Sequence, residues 1–185
     1  MVNLSSRPAE EVQVRVTLHD AQGQLLASGA AFTQLDILAA HGRSPFGILF
    51  AAPPANFVQY QTQVLSGVHS THLGPRYPNL AVTEKWGGRL DENNYQVRGQ
   101  VGNTGQAEAK KVAIVVTLYD EQSHVVGARA VGILADVFLP GAIAPFDVTL
   151  TPLGPVARYS VEVQGWWVGY PTPADPRTPE ATAQP

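Results

Sequence analysis

VTLHDAQG at residues 16–23 returns as VTLYDEQS at residues 116–123, and SPF at residues 44–46 returns as APF at residues 144–146. Both offsets are 100 residues, and no gap is needed over residues 3–54. Of those 52 positions 12 are identical, among them Asn3/Asn103, Leu18/Leu118, Asp20/Asp120, Asp36/Asp136, Pro45/Pro145 and Phe46/Phe146. One module therefore occurs twice. A repeat made of core and turn positions points to a structural or binding module rather than to an enzyme.

The second copy shows its strands most clearly. Tyr95, Val97, Gly99 and Val101 alternate with polar residues, the period of a half-buried strand. GNTG at residues 102–105 is turn chemistry. Val112, Ile114, Val116 and Leu118 face one way, and Ala113, Val115, Thr117 and Tyr119 the other. Asp120 opens a hairpin turn, where an Asp side chain accepts from amides further along. A return strand follows at residues 125–131, and a turn at residues 138–141. Phe146, Val148 and Leu150 alternate again, and Tyr159, Val161 and Val163 form the last strand. The first copy repeats this with Val12, Val14, Val16 and Leu18, then Phe46, Ile48 and Phe50, then Tyr60, Thr62 and Val64. No stretch sustains a helical period, and the best candidate, residues 34–40, is short. Short strands punctuated by Gly, Pro, Asn and Asp predict an all-β chain of two antiparallel β-sandwiches in series. Leu18, Phe46, Val116, Leu118, Phe146 and Val161 are the expected core.

The division along the chain follows. Residues 1–66 form an incomplete first domain, 67–79 a polar connector, 80–170 a complete second domain opened by Leu80, Val82 and Leu90, and 171–185 a Pro- and Thr-rich disordered tail. Residues 80–101 have no counterpart in the first copy. The first domain is thus expected to lack its opening strands, either because the chain is a fragment or has a misplaced start, or because another chain donates the strand at an open edge.

Composition narrows the function. The net charge is −3, which argues against nucleic acid as a partner. There is no Cys, so disulfides and thiolate metal sites are excluded. No apolar run has the length of a membrane span. The start does not read as a signal peptide, since Val2 and Asn3 align with Gly102 and Asn103.

At VGNTG (residues 101–105), VTLYD (116–120), LPG (139–141), Pro145-Phe146 and YSVEV (159–163) the chain resembles the FxLYD family of bacterial Ig-like β-sandwich modules. The family's Phe is Val116 here; in the first copy it is Val16, and the Tyr is His19. The resemblance covers about 150 residues. It implies tandem Ig-like modules on an exported or cell-envelope protein, an extracellular or envelope location, a protein or cell-surface partner, and no catalytic residues or cofactors.

A few clusters carry the residue types that sites need. His69 and His72, with Glu84 and Asp91 beyond, suggest a metal or enzymatic site at the domain junction, but no helix aims the two rings. The run Asp91, Glu92, Asn93 and Asn94 offers oxygen ligands for calcium at the same junction, without the spacing of a known loop; a solvated turn is the simpler reading. Asp20, Asp120, Asp36 and Asp136 recur as turn or backbone-bonding residues rather than as an acid–base pair. His19, His41 and His124 are expected on the surface, with His41 standing where the second copy has Gly141. Neither a nucleophile elbow nor a phosphate loop occurs. Trp166, Trp86 and Tyr170 are the candidates for stacking on a sugar or a partner. Trp167 is expected inward and Trp166 outward, packed on the connector or the other domain, with Trp86 at the junction. The expected function is non-enzymatic: a structural or protein-interaction module, with no metal and no cofactor. A carbohydrate-binding module is the first alternative, and an enzyme or metal site at the junction the second.

Overall fold

The computed structural model describes residues 1–69 and 76–169, and they are all-β. The strands are β1 (Ala9–His19), β2 (Leu25–Phe32), β3 (Ile37–Leu38), β4 (Gln59–His69), β5 (Leu80–Arg89), β6 (Tyr95–Asn103), β7 (Ala109–Tyr119), β8 (Val125–Gly132), β9 (Ile143–Leu150) and β10 (Arg158–Trp167). Every pairing is antiparallel. In the second copy two three-stranded sheets, β5-β6-β9 and β10-β7-β8, share one core. Val97, Val101, Phe146 and Val148 of the first sheet meet Ile114, Val116, Leu118 and Val161 of the second. The alternation places them there: β-branched side chains at every second position suit a pleated, buried face.

The first copy contains one sheet, in which β1 lies between β2 and β4 while β3 pairs with the start of β1. Its strands reproduce those of the second copy: β1 stands for β7, β2 for β8 and β4 for β10. The likeness extends to hydrogen bonds that the sequence leaves unstated. Asn103 donates through its side-chain amide to the carbonyls of Ala107 and Phe138, at 2.8 and 2.9 Å. Asn3 donates to those of Arg7 and Leu38, at 2.8 and 3.2 Å. Asp120 accepts the His124 amide and Asp20 the Gln24 amide, both at 2.8 Å. Left-handed backbone recurs at the same places: Glu11 and Lys111, Gly23 and Ser123, His41 and Gly141. A left-handed φ in a non-glycine residue costs about 1–2 kcal/mol, so three such coincidences mark a shared design of turns and bulges. His41 holds φ 57° where Gly141 holds 75°.

The copies part where the second has its extra hairpin. Among the described residues nothing in the first copy stands where β5 and β6 stand in the second. Only the end of that ladder survives. Met1 and Ser44 exchange backbone hydrogen bonds at 3.0 Å, and Val2 bridges Arg43, as Gly102 pairs with Ile143 in β6–β9. The strand expected at Phe46, Ile48 and Phe50 is therefore absent. The equivalent strand β9 is held only by β6, and without that neighbour residues 45–50 have no ladder to join. They instead fold onto the sheet at Gly29, where Ile48 occupies the room a side chain would need. Phe46, expected in the core, is half-buried for the same reason.

Other boundaries also move. β4 runs to His69, into the expected connector, and Tyr77 is 1% exposed within the second core, so the second unit begins before Leu80. Leu90 lies beyond β5 in an exposed turn. Residues 34–40 hold β3 rather than a helix. The expected tail, residues 171–185, lies outside the described residues.

Leu118 is fully buried, whereas Val64, which faces Val14 on β4, is 47% exposed. Leu118→Ala should therefore cost about 2–5 kcal/mol and Val64→Ala less than about 1 kcal/mol. Urea unfolding of the two variants measures the difference, and equal losses would contradict the described asymmetry between the copies.

Candidate functional site

Three places carry the chemistry a site needs: the contact between the copies, the face around Trp86, and the exposed strand β4.

The contact between the copies is polar and specific. Gln164 of β10 accepts the Asp36 amide at 2.9 Å and donates to the Gln34 carbonyl at 3.3 Å. Arg76 reaches the Ile37 carbonyl at 3.1 Å and the Val163 carbonyl at 3.4 Å, so one guanidinium ties both units. Burial lowers the pKa of Arg76, and the charges of Glu162 and Asp36 oppose that shift. Burial raises the pKa of Asp36, countered by Arg76, and raises that of Glu162, countered by Lys85 and Arg76. The sign follows: the stability these two carboxyls contribute is full below the ordinary carboxylate range and is lost as pH rises through their raised values. Behind Arg76, Tyr77 anchors the segment. Its hydroxyl donates to Asn103 at 2.9 Å, its ring meets Trp167 edge-on at 4.8 Å, and Gly105 leaves room beside it. Trp167 thus packs on the core, as expected. Trp166 bridges Arg76 and lines a groove of about 270 Å³ with Glu10, Phe32 and Leu35 of the first copy. It is half-buried there rather than offered to a ligand.

Arg76, Tyr77 and Gln164 do not stand out in the sequence. The first two lie in RYPNL, inside a stretch that reads as connector, and an aromatic beside a Pro is the available signal. Gln164 carries no such signal, because its role depends on the second unit's partner.

Trp86 is not at this contact. It sits on β5 opposite Arg98 of β6 and is 51% exposed. It borders a cleft of about 590 Å³ with Glu84, Lys85, Pro145 and Asp147. The Arg98 guanidinium lies 4.9 Å from the ring centroid, a cation–π contact worth about 0.5–1 kcal/mol at an exposed site. A sugar stacking on that face has to displace it. Tyr170 and His72 lie outside the described residues.

Of the described residues expected at a metal or enzymatic site, His69 ends β4. Glu84 sits in mid-strand on β5, and Asp91 lies in the turn between β5 and β6. The polar run from Asp91 to Asn94 is that turn and not a junction. Asp91 accepts the amides of Asn93 and Asn94 at 2.8 Å and the Asn94 side chain at 2.9 and 3.0 Å. Among the described residues no group of three or more His, Asp or Glu is arranged to hold a metal ion. Asp20 and Asp120 serve their turns, accepting amides of Gln22, Gln24 and His124. Asp36 does not serve a turn; its backbone amide joins the contact between the copies. His19, expected at the surface, is half-buried, with its ring 2.9 Å from the Thr17 hydroxyl and 3.1 Å from the Gly23 carbonyl. His41 and His124 are exposed.

The third surface is β4 of the first sheet. In the second copy Tyr159 packs on Gly87 of β5, with the Tyr95 ring 6.3 Å away, and Leu80 fills the space over Gly165. In the first copy Tyr60, the counterpart of Tyr159, is 66% exposed. Gly67 meets Val12 as Gly165 meets Val112, and among the described residues no other atom lies near its open position. All of β4 is exposed.

No protein-family model matches this chain, and no curated protein matches it.

The Asn94 side chain, then the Asn93 amide, lowers the pKa of Asp91 against a small opposing effect of desolvation, and the Asn94 amide assists. Its contribution to stability is present above the ordinary Asp range and is lost as pH falls through the lowered value. Asn94→Ala should move the Asp91 titration, followed by carboxyl NMR, back toward the ordinary range. An unmoved titration would show that the turn does not depend on this pair.

Proposed function

We propose that the chain is a structural and protein-interaction segment, non-enzymatic, of a bacterial exported or cell-envelope protein. On this reading it consists of two Ig-like modules of the FxLYD type, in series, with the first open on one side. The observation that carries the reading is the contact between the copies. Gln164 bonds to backbone atoms of the other unit and Arg76 to one carbonyl on each side, as expected of a spacer that holds successive modules in a set relation. A flexible tether would leave those groups in water. Two repeated units joined in this way suit mechanical support or the presentation of a surface, since the joint limits hinge motion. The extracellular or envelope setting rests on the resemblance of the VTLYD, LPG and YSVEV segments.

Nitrogen-15 relaxation should give both units one rotational correlation time. The double variant Arg76→Ala, Gln164→Ala should separate them into two, with a stability loss of about 1 kcal/mol per lost hydrogen bond. Independent tumbling of the unaltered chain would overturn the spacer reading.

A further inference from the structure

We propose that Arg177, within residues 176–179, docks on the exposed loop of residues 134–137 in the second unit, as Arg76 docks on residues 34–37 of the first. The inference deepens the spacer reading above and rests on it: the joint between the units recurs at the far end of the second.

The joint supplies the template. Two backbone groups of the loop after β2 are taken up there: Gln164 accepts the Asp36 amide, and Arg76 donates to the Ile37 carbonyl. Leu35 and Ile37 are buried, with Trp166 of the second unit beside them. The second unit carries the same loop after β8. Phe138 bridges Ala109 as Leu38 pairs with Ala9, and Asp136 repeats Asp36. Yet Leu134 is fully exposed and Val137 is 41% exposed. Among the described residues no hydrogen bond takes up the Asp136 amide or the Val137 carbonyl. One copy of the loop is covered and the other is not.

The amino-acid sequence names the occupant. Arg76 stands in Pro75-Arg76-Tyr77-Pro78, and that pattern returns as Pro176-Arg177-Thr178-Pro179, outside the described residues. Its place along the chain matches. His69 pairs with Ala9, beside Leu38, and Arg76 follows seven residues later (76 − 69). Trp167 pairs with Ala109, beside Phe138, and Arg177 follows ten residues later (177 − 167). Phe138 stands two strand spacings from Trp167, roughly 10 Å, and the intervening chain reaches roughly 33 Å when extended. Charge suits the pair as well. The Asp36 carboxylate favours the charged form of buried Arg76, and Asp136 places the same charge beside Val137. A guanidinium holds several donors in a fixed fork, so one Arg serves a carbonyl and a carboxylate together. Prolines on both sides of the Arg restrict the backbone before docking and so reduce the ordering cost.

The test uses the whole chain. It has no Cys, so Thr178→Cys gives a single site for a nitroxide. The label should selectively broaden the amide signals of residues 133–139. Arg177→Ala in the labelled chain should lower the docked-to-free ratio, read from that broadening, by about tenfold or more. Neither substitution touches a core residue, so misfolding does not confuse the result. A mixture of nitroxide-bearing chains with label-free nitrogen-15 chains should show no broadening. Uniform or absent broadening in the labelled chain would overturn the proposal, as would broadening that Arg177→Ala leaves unchanged. Broadening in the mixture as strong as in the single chain would also overturn it, because the occupant would then be a second copy. Nitrogen-15 relaxation on the same sample, with the nitroxide reduced, reads the joint between the two units separately. A shared correlation time without broadening at residues 133–139 would sink the docking and leave the spacer reading standing.

Discussion

A strand's backbone amides and carbonyls need a neighbour, and β6 is the neighbour on which this architecture turns. In the second copy it lies between β5 and β9, and β9 has no other partner in the ladder. Its side chains Val97 and Val101 also belong to the facing core. Where β6 is present, residues 143–150 are a strand and the sheet across the core is covered. Where only the last two rungs exist, residues 45–50 collapse onto Gly29 and β4 is left open. The difference between two units built on one pattern thus follows from one ladder, and no change in the strands they share is required.

What survives in the first copy is equally informative. Its single sheet keeps the asparagine that ties its own turn to the β3 segment, the aspartate turn between β1 and β2, and three left-handed residues. These are local devices: each satisfies backbone groups within a few residues or across one adjacent pair. They persist when the opposite sheet is missing because none of them depends on it. Burial is the property that does depend on it. Val16 is half-buried where Val116 is fully buried, and Tyr60 is exposed where Tyr159 packs on glycine.

Much of this is legible in the amino-acid sequence. The period-two alternation marks β6, β7, β9 and β10, and the Asp and Asn turns fall where the offset of 100 residues puts them. The absence of a hairpin from the first copy is legible too, yet alternation alone still predicts a strand at Phe46, Ile48 and Phe50. Alternation records which face a side chain prefers, whereas strand formation also needs a partner for the backbone. The contact between the copies is hidden for another reason. Arg76 and Gln164 act on carbonyls and amides, which every residue possesses, so no side-chain pattern on the far side announces them. Tyr77 is lost among turn-forming neighbours, because Pro and Gly around an aromatic read as linker until the pocket beside Gly105 is known.

The edge strands of the two copies differ in chemistry. β4 and β10 each have one neighbouring strand, β1 and β7 respectively, and β10 adds only the single bridge from Trp166 to Arg76. β10 carries Arg158 and Glu162, and the Arg158 guanidinium covers the Tyr119 ring at 3.9 Å. Charges on an edge discourage another strand from adding there. β4 reads QYQTQVLSGVH, without Lys, Arg, Asp, Glu or Pro. It offers uncharged amides, one Tyr and three branched aliphatic residues on an eleven-residue strand. An edge of this kind carries none of the usual protection against pairing. Two copies of one module thus differ at their edges: β10 carries Arg158 and Glu162, whereas β4 carries no Lys, Arg, Asp or Glu.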